Sequence, residues 1–313
     1  WFGVEVLDVP ILVVNRSNGT AADGTDYTTL DRDWDNFIYL NQIPVFNAAG
    51  NEGDVPGSEF IVSPAKGLNV VAVGAYDDNA TVTGADDTIA AFSSFVDPET
   101  GNEKPEISAP GVTVTAGGFT MSGTSMASPH AAAFAADIMS QSTFVHSKPY
   151  LLNAKMIAGA TDIIAGDPDA IGAGGIDFKS THYNGWNFWV TGNNSDFPSL
   201  DAADGSSDGY IEREVYIPSS YDAVRIAMSW ESRGTYVYDH RADAHPIGMD
   251  YDLRVYNPSG AYLGGSYSWD DGWEDFDFEP TVSGYYTFKI NRYANRDSSN
   301  KIRLGVAVNA YDY

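Results

Sequence analysis

The sequence predicts an α/β region built on a parallel sheet, followed by an antiparallel β-sandwich. In the first two-thirds of the 313 residues, short continuous apolar runs alternate with helix patterns, whereas in the last third apolar residues recur at every second position. Continuous runs are typical of strands buried on both faces of a parallel sheet, and alternation is typical of half-buried antiparallel strands. A segment rich in Gly, Ser, Asn and Asp, residues 191–209, separates the two patterns and predicts a linker.

The first region, residues 1–190, contains three apolar runs that predict buried strands: 11–14, 45–48 and 69–75. Residues 30–40 carry apolar side chains at spacings of three to four, which predicts a helix between the first two strands. The alanine-rich segment 125–141 predicts a second helix, with Pro129 in the first turn, where its missing N–H costs nothing. A third helix is expected near 149–159. This alternation indicates a layered α/β domain.

The second region, residues 210–313, shows four segments in which apolar residues alternate with others: 224–230, 251–255, 286–290 and 302–308. The sequence Asn257-Pro258-Ser259-Gly260 supplies a turn between two of them. Several short half-buried strands separated by turns indicate an antiparallel β-sandwich.

Composition excludes several classes of function. The chain has 43 acidic and 17 basic residues, a formal net charge of -26, which disfavours nucleic-acid binding and suits calcium. Cysteine is absent, which excludes disulfides, thiolate zinc sites and cysteine catalysis. No apolar run approaches the roughly 18 residues of a membrane-spanning helix. The chain starts at Trp1 with no visible leader, so we expect a fragment of a longer, secreted precursor.

The strongest local pattern is the octapeptide GTSMASPH, residues 123–130. Ser125 begins a predicted helix and closely follows a glycine, which lets a substrate backbone approach, and the helix N-terminus favours negative charge. These features suit a nucleophile. A bare Gly-x-Ser before a helix, however, is more often an ordinary N-cap serine.

The complete octapeptide resembles the nucleophile motif of the subtilisin-like serine proteases, the subtilase family. Other segments resemble this family in the same order along the chain: AAGNEG at 48–53, the strand at 69–75, FSS at 92–94 and KPEISAPG at 104–111. The resemblance implies the C-terminal part of a subtilisin-like catalytic domain, with Ser125 as nucleophile and Asn51 as an oxyanion donor. A preorganised amide stabilises the charge that develops on the attacked carbonyl oxygen. Outside this family, Asn51 would be interpreted as a left-handed turn residue.

The resemblance also implies the substrate-binding segments. Ser17, Asn18 and Gly19 follow a buried strand, and together with Ala49 and Gly50 they would flank the main specificity pocket. A polypeptide substrate would pair with the first of these segments as an added strand. The alternative is a simple strand-terminating turn. No cofactor is implied for catalysis.

Two members of the catalytic triad are missing from the sequence. The family order is Asp, His, Ser, and none of the five histidines precedes Ser125. His130 belongs to the motif, but the family places this position in the helix and not at the base. We therefore expect an upstream segment of the same precursor, a companion N-terminal fragment, to supply Asp and His. The chain alone is expected to hydrolyse peptides slowly or not at all.

The C-terminal strands resemble the jelly-roll or pre-peptidase-type sandwich that is often appended to secreted proteases. This resemblance implies a role in stabilisation, targeting or maturation. Asp250 and Asp252 lie on the same side of a strand, so they would repel each other unless a cation or a basic side chain lies between them. We therefore predict structural calcium at this pair. The trio Asp275, Asp277 and Glu279 is interpreted as a solvated strand face.

Three functional hypotheses follow. The first is a serine endopeptidase fragment that forms an acyl-enzyme on Ser125 and is completed by an upstream segment. The second is an inactive subtilase-like binding or structural protein, and the third is a carbohydrate- or protein-binding sandwich on a degenerate scaffold. The intact motifs around Ser125 and Asn51 favour the first, because an inactive scaffold needs neither a nucleophile nor an oxyanion donor.

Overall fold

A computed structural model of the chain describes residues 12–20, 24–183, 185–205 and 207–312. The α-helices within these residues are α1 Thr29–Asn41, α2 Thr124–Gln141, α3 Pro149–Ala158, α4 Pro168–Ile171, α5 Phe178–Tyr183, α6 Phe197–Ala202 and α7 Gly234–His240. Short 3₁₀ turns lie at Gly84–Asp86, Thr143–Val145 and Asn194–Asp196. In the described part of the chain, no helix is long and apolar enough to cross a membrane.

The strands of the first half are β1 Val14–Arg16, β2 Val45–Ala48, β3 Val71–Asp77, β4 Thr88–Ile89, β5 Ile107–Pro110, β6 Val114–Ala116 and β7 Phe119–Met121. Those of the second half are β8 Trp186–Gly192, β9 Tyr210–Ile217, β10 Ala223–Trp230, β11 Met249–Tyr256, β12 Tyr262–Ser266, β13 Trp273–Phe278, β14 Gly284–Asn295 and β15 Ile302–Tyr311. The first predicted strand, 11–14, overlaps β1 only at its end, and Ile11 lies outside the described residues.

The first sheet is mainly parallel. Strands β1, β2, β3 and β5 pair in that order in parallel, and β4 pairs antiparallel with the end of β3. Helix α2 covers one face of this sheet with three fully buried alanines, Ala127, Ala131 and Ala135. Small side chains let a helix lie close to a sheet, which explains the alanine-rich sequence. The predicted parallel α/β architecture is confirmed.

Helix α1 is fixed by two buried carboxylates. Asp31 completes a capping box with Thr28, whose N–H donates to the Asp31 carboxylate at 2.7 Å. One turn later, Asp35 accepts hydrogen bonds from the N–H groups of Leu68 and Asn69 at 2.9 and 2.8 Å. Burial raises the pKa of Asp35 to about 6. These bonds attach α1 to the loop that leads into β3, and the predicted helix at 30–40 is confirmed within one residue at each end.

Two four-stranded antiparallel sheets form the second half of the fold. Their strand orders are β13-β10-β15-β8 and β12-β11-β14-β9. Alternate side chains from both sheets share one buried cluster, for example Ile226 of β10, Leu304 of β15, Leu253 of β11 and Phe288 of β14. The predicted antiparallel β-sandwich is confirmed by this packing.

The sheet that contains β10 is buried on both faces, which the alternating pattern did not predict. All eight residues of β10 are buried, because α3 packs on the face that turns away from the sandwich core. Gly305 of β15 makes this contact feasible: a Cβ at this position would lie 2.4 Å from Cα of Leu151. The α/β region and the sandwich are therefore joined by a close-packed interface.

The predicted solvated face of β13 is partly exposed, since Asp277 is exposed and Asp275 half-buried, but both carboxylates also face a buried arginine. Arg225 is buried, donates to Asp277 at 2.9 Å, and lies 3.5 Å from Asp275. The guanidinium also donates to the carbonyl of Ala173 at 2.6 Å. The carboxylates compensate a buried charge, and this is the physical reason for their alternating positions on β13.

The segment predicted as a linker, 191–209, includes regular structure. It contains the end of β8, which pairs with β15, and the short helix α6. Because β8 starts at Trp186, the antiparallel sheet begins before the predicted boundary at 190/191. The division of the chain into domains at 1–190 and 210–313 stays a prediction.

A pH dependence of stability follows from Glu274, which is buried in β13. Burial raises the pKa of its carboxyl from an ordinary value of 4.5 to about 8. Between these two values the unfolded chain releases a proton that the folded chain retains, so we expect the free energy of unfolding to fall as the pH rises from about 4.5 to 8. Thermal melting across this range measures the slope.

The variant Glu274→Gln should make that slope shallower, because this side chain no longer titrates. Part of the slope should remain, because burial also raises the pKa of Glu106 and of Glu231 to about 7. The matched control is Glu279→Gln, which neutralises an exposed carboxyl directly after β13 and should leave the slope of stability against pH as it is. An unchanged slope in Glu274→Gln would contradict the assignment.

Candidate active site

Ser125 is the second residue of α2, at the helix end that faces the carboxyl ends of the parallel strands. Gly123 precedes the helix with φ 150° and ψ 160°, a backbone conformation that suits glycine. The Ser125 hydroxyl donates to the carbonyl oxygen of Ser17 at 2.8 Å. The helix N-terminus therefore presents the hydroxyl beside the segment that follows β1, and negative charge that develops there is favoured by the helix dipole.

Asn51 follows β2 and is oriented by Thr124. Its side-chain oxygen accepts hydrogen bonds from the N–H of Thr124 at 2.7 Å and from the Thr124 hydroxyl at 3.0 Å. An N–H group can only donate, so the oxygen of the amide must face Thr124 and the NH₂ group must point away. Thr124 is fully buried. The contact therefore fixes the amide with its donor side turned away from the helix.

A pocket of about 220 Å³ lies between these groups. Its walls come from the end of β2, from the segments that follow β1, β2 and β4, and from the start of α2. The lining residues are Asn18, Gly19, Ala48, Gly50, Asn51, Glu52, Phe60, Val62, Ser94, Thr124 and Ser125. Two glycines are required here, because a Cβ at Gly19 would lie 2.3 Å from the Val62 side chain and one at Gly50 would lie 2.6 Å from the Ser94 hydroxyl. Ser125 and the Asn51 amide thus share one concave site.

The structure brings most of the predicted site residues together. Asn18, Gly19 and Gly50 line the pocket, and the carbonyl of Ser17 accepts from Ser125. Ala49 is fully buried behind the pocket; its N–H donates to Val73 and its carbonyl accepts from Val62. Both backbone groups of Ala49 are therefore used within the fold. Its role in substrate binding stays a prediction.

The pocket also includes residues that were not predicted as part of the site, and two of them have a clear role. Thr124 orients Asn51, and Val62 is half-buried in the pocket wall. Thr124 lies inside the octapeptide, next to Ser125, which is the signal that could have identified it. Val62 carries no such signal, because its position depends on the path of the loop from Asn51 back to β3.

No described histidine side chain contacts Ser125. The histidines with hydrogen bonds are bonded elsewhere: His130 to the carbonyl of Pro110, His146 to that of Met139, and His240 to Asp243. His245 stacks on Trp269. The side chain of His182 lies outside the described residues. A base for Ser125 is therefore not supplied by the histidine side chains that the structure describes.

The predicted calcium pair lies in the sandwich. Asp250 and Asp252 are both buried, and one oxygen of Asp250 accepts from the Arg296 guanidinium at 3.1 Å. Among the described residues, no group of three or more His, Cys, Asp or Glu side chains could hold a metal ion. Calcium binding needs roughly six or more oxygen ligands, and this pair with its arginine does not by itself provide them.

Comparisons with known proteins agree with the sequence motifs. A model of the subtilase family matches residues 5–176, which is more than half of the chain. The chain is similar to the serine protease AprX of Bacillus subtilis (strain 168), with 37% identity over 158 residues, which covers 44% of this chain and 35% of AprX. It is also similar to subtilisin DY of Bacillus licheniformis, with 42% identity over 108 residues, which covers 33% of this chain and 35% of that protein. The chain thus spans about a third of the length of these relatives.

Solved structures overlap with part of the fold. The prenylagaramide maturation protease PagA gives a TM-score of 0.43 at 24% identity, covering 54% of this chain and 60% of PagA. The patellamide maturation protease PatA gives 0.44 at 24% identity, covering 55% of this chain and 61% of PatA.

Proposed function

Because the chain belongs to the subtilase family, we propose that it is the nucleophile-bearing part of a serine endopeptidase. An upstream segment of the same precursor, either continuous with this chain or a companion fragment, supplies the Asp and the His of the triad. The observation that carries the proposal is the shared pocket, in which Ser125 lies beside an amide that Thr124 orients.

The chemistry assigned to the pocket is acyl transfer. The Ser125 oxygen attacks the carbonyl carbon of a peptide bond, and its proton passes to the histidine of the upstream segment. The amide of Asn51 and the N–H of Ser125 stabilise the carbonyl oxygen as it becomes negative. The histidine then gives its proton to the leaving amine, and water hydrolyses the acyl-enzyme in a second round of the same steps.

A fluorophosphonate probe tests this proposal, because it reacts only with an activated serine hydroxyl. We expect labelling of Ser125 in the complete gene product and little or none in this chain alone. Addition of the purified upstream segment to the chain should restore labelling. A complete gene product that neither reacts nor cleaves casein would favour the inactive binding protein instead.

The wall of the pocket supports a preference for medium-sized side chains before the cleaved bond. The Val62 side chain forms part of this wall, and it lies so close to Gly19 that a Cβ on Gly19 would come within 2.3 Å of it. The variant Val62→Gly should enlarge the pocket and raise kcat/KM for a phenylalanine peptide relative to a valine peptide by at least about tenfold.

Peptide pairs that differ only at this position measure the ratio in the complete gene product. Val82→Gly is a suitable control, because Val82 is fully exposed in a loop outside the pocket. A ratio that stays the same in Val62→Gly would mean that the pocket does not receive this side chain.

Three further parts of the hypothesis are also proposals. Secretion is supported by the acidic composition and by the family, and a jelly-roll strand order is one way to describe the sandwich. Calcium at Asp250 and Asp252 would require additional oxygen ligands from loops or from another molecule. Metal analysis of the purified chain, together with melting in calcium and in chelator, tests that idea directly.

A further inference from the structure

The β-sandwich has a second pocket, which shares no residue with the one beside Ser125. It is lined by Asp250, Asp252, Tyr267, Ser268, Trp269 and Tyr293 and has a volume of about 150 Å³. Strand β11 contributes the carboxylates, the segment after β12 contributes the middle three residues, and β14 contributes Tyr293. A space of this size suits the end of one side chain.

One of the two carboxylates of this pocket, Asp250, is incompletely paired, whereas Asp252 has a hydrogen bond from the Asn291 side chain. Asp250 is 1% exposed, and its Oδ2 atom accepts from Arg296. Its Oδ1 atom is buried and has no hydrogen-bond partner among the described residues. Burial raises the pKa of Asp250 to about 6. The Arg296 guanidinium lowers this pKa, and the nearby carboxylates of Asp252 and Asp270 raise it. A buried carboxylate oxygen without a partner is costly, so a donor that reaches it would be bound favourably.

The rest of the pocket consists of Ser268 and the exposed aromatic side chains of Tyr267, Trp269 and Tyr293. Trp269 is 52% and Tyr293 54% exposed, and their rings meet edge to face at 5.5 Å. His245 stacks on Trp269 at 4.9 Å. Clustered exposed aromatic rings on a soluble protein commonly mark a binding site.

The local backbone holds these rings in place. Glu274, buried in β13, accepts from the N–H of Ser268 at 2.5 Å and from the Ser266 hydroxyl, which fixes the segment that carries Trp269. Strand β14 has one extra residue, Tyr293, between the partners of Asp250 and Tyr251. Bulges of this kind change the direction in which a side chain points, and they occur frequently next to active sites.

We propose that this pocket binds the cationic end of a basic side chain, a lysine ammonium or an arginine guanidinium, on a polypeptide partner. Aromatic faces attract such cations, and carboxylates pair with them through charge-assisted hydrogen bonds. The net charge of -26 favours association with a basic partner. Calcium at Asp250 and Asp252 is the competing proposal, because both occupants would use the same two carboxylates. Aromatic faces contribute nothing to calcium, which takes oxygen ligands. The pocket makes no use of Ser125, so the proposal holds whether or not the chain is catalytic.

Saturation-transfer NMR with a blocked pentapeptide, Gly-Gly-Lys-Gly-Gly, tests the proposal on the Ser125→Ala chain. We expect transfer to the lysine methylene protons and at least fivefold weaker binding of the same peptide with acetyl-lysine, which lacks the charge. Trp269→Ala should weaken binding at least fivefold and keep the melting temperature, because Trp269 is half exposed. Asp250→Asn together with Asp252→Asn should weaken it further.

The matched control is Asp77→Asn with Asp78→Asn, which removes the same charge at the end of β3 and should leave binding unchanged. Equal loss in this control would show non-specific attraction to an acidic surface and would overturn the proposal. Four other results would also overturn the proposal. The acetylated peptide could bind equally well, or the lysine peptide could fail to bind at millimolar concentration. Millimolar calcium could displace the peptide, or tri-N-acetylglucosamine could bind in its place.

Discussion

Replacing Ser125 with alanine in the complete gene product is expected to lower kcat by about 10⁶, the size of the loss measured for the nucleophile of subtilisin itself. Fluorophosphonate labelling should disappear at the same time. The reason is that the acyl-enzyme cannot form without the hydroxyl, although the pocket and the oxyanion donor remain. Binding of a peptide substrate should be retained, because Ser125 contributes only one of the pocket walls.

The fold offers a close control for this variant. Ser122 lies three residues upstream, is exposed, and accepts a hydrogen bond from the N–H of Thr113 at 2.8 Å. Ser122→Ala changes one hydroxyl in the same segment without touching the pocket and should keep most of the activity. Peptide hydrolysis that survives in Ser125→Ala would show that another residue is the nucleophile and would remove the basis of the proposed function.

The second large effect is expected at Asn51. The variant Asn51→Ala removes the amide donor and should lower kcat by about 10² to 10³, the range measured for the oxyanion asparagine of subtilisin itself. KM should change little, because this hydrogen bond strengthens only as the carbonyl oxygen becomes negative. Steady-state kinetics of the complete gene product separate the two parameters.

A structural explanation of that loss must be excluded, because the same asparagine accepts from the N–H of Thr124. The melting temperature and the circular dichroism spectrum report whether α2 is intact. Asn41→Ala is the control, since Asn41 is an exposed asparagine at the end of α1 and outside the pocket. If Asn51→Ala raised KM and left kcat unchanged, Asn51 would be a ground-state contact and not an oxyanion donor.

The position of Ser125 at the start of a helix was predictable because its causes are local. Glycine before the helix, a proline in its first turn and a run of alanines are all encoded within about 20 neighbouring residues. The short apolar runs likewise predicted the parallel strands, because a strand that is buried on both faces carries apolar side chains at successive positions. Apolar residues at every second position predicted the sandwich, because a strand that buries only one face alternates apolar and polar side chains.

The sequence by itself thus determined the fold class, and it predicts Ser125 and the Asn51 amide as site groups. Only the tertiary structure decided which way that amide faces, because Thr124 lies 73 residues away along the chain. It also decided that Asp277 pairs with Arg225 across 52 residues, and that Asp250 shares a pocket with Trp269 and Tyr293. The fate of a charged side chain depends on burial and on partners that are distant in sequence, and local periodicity carries no information about either.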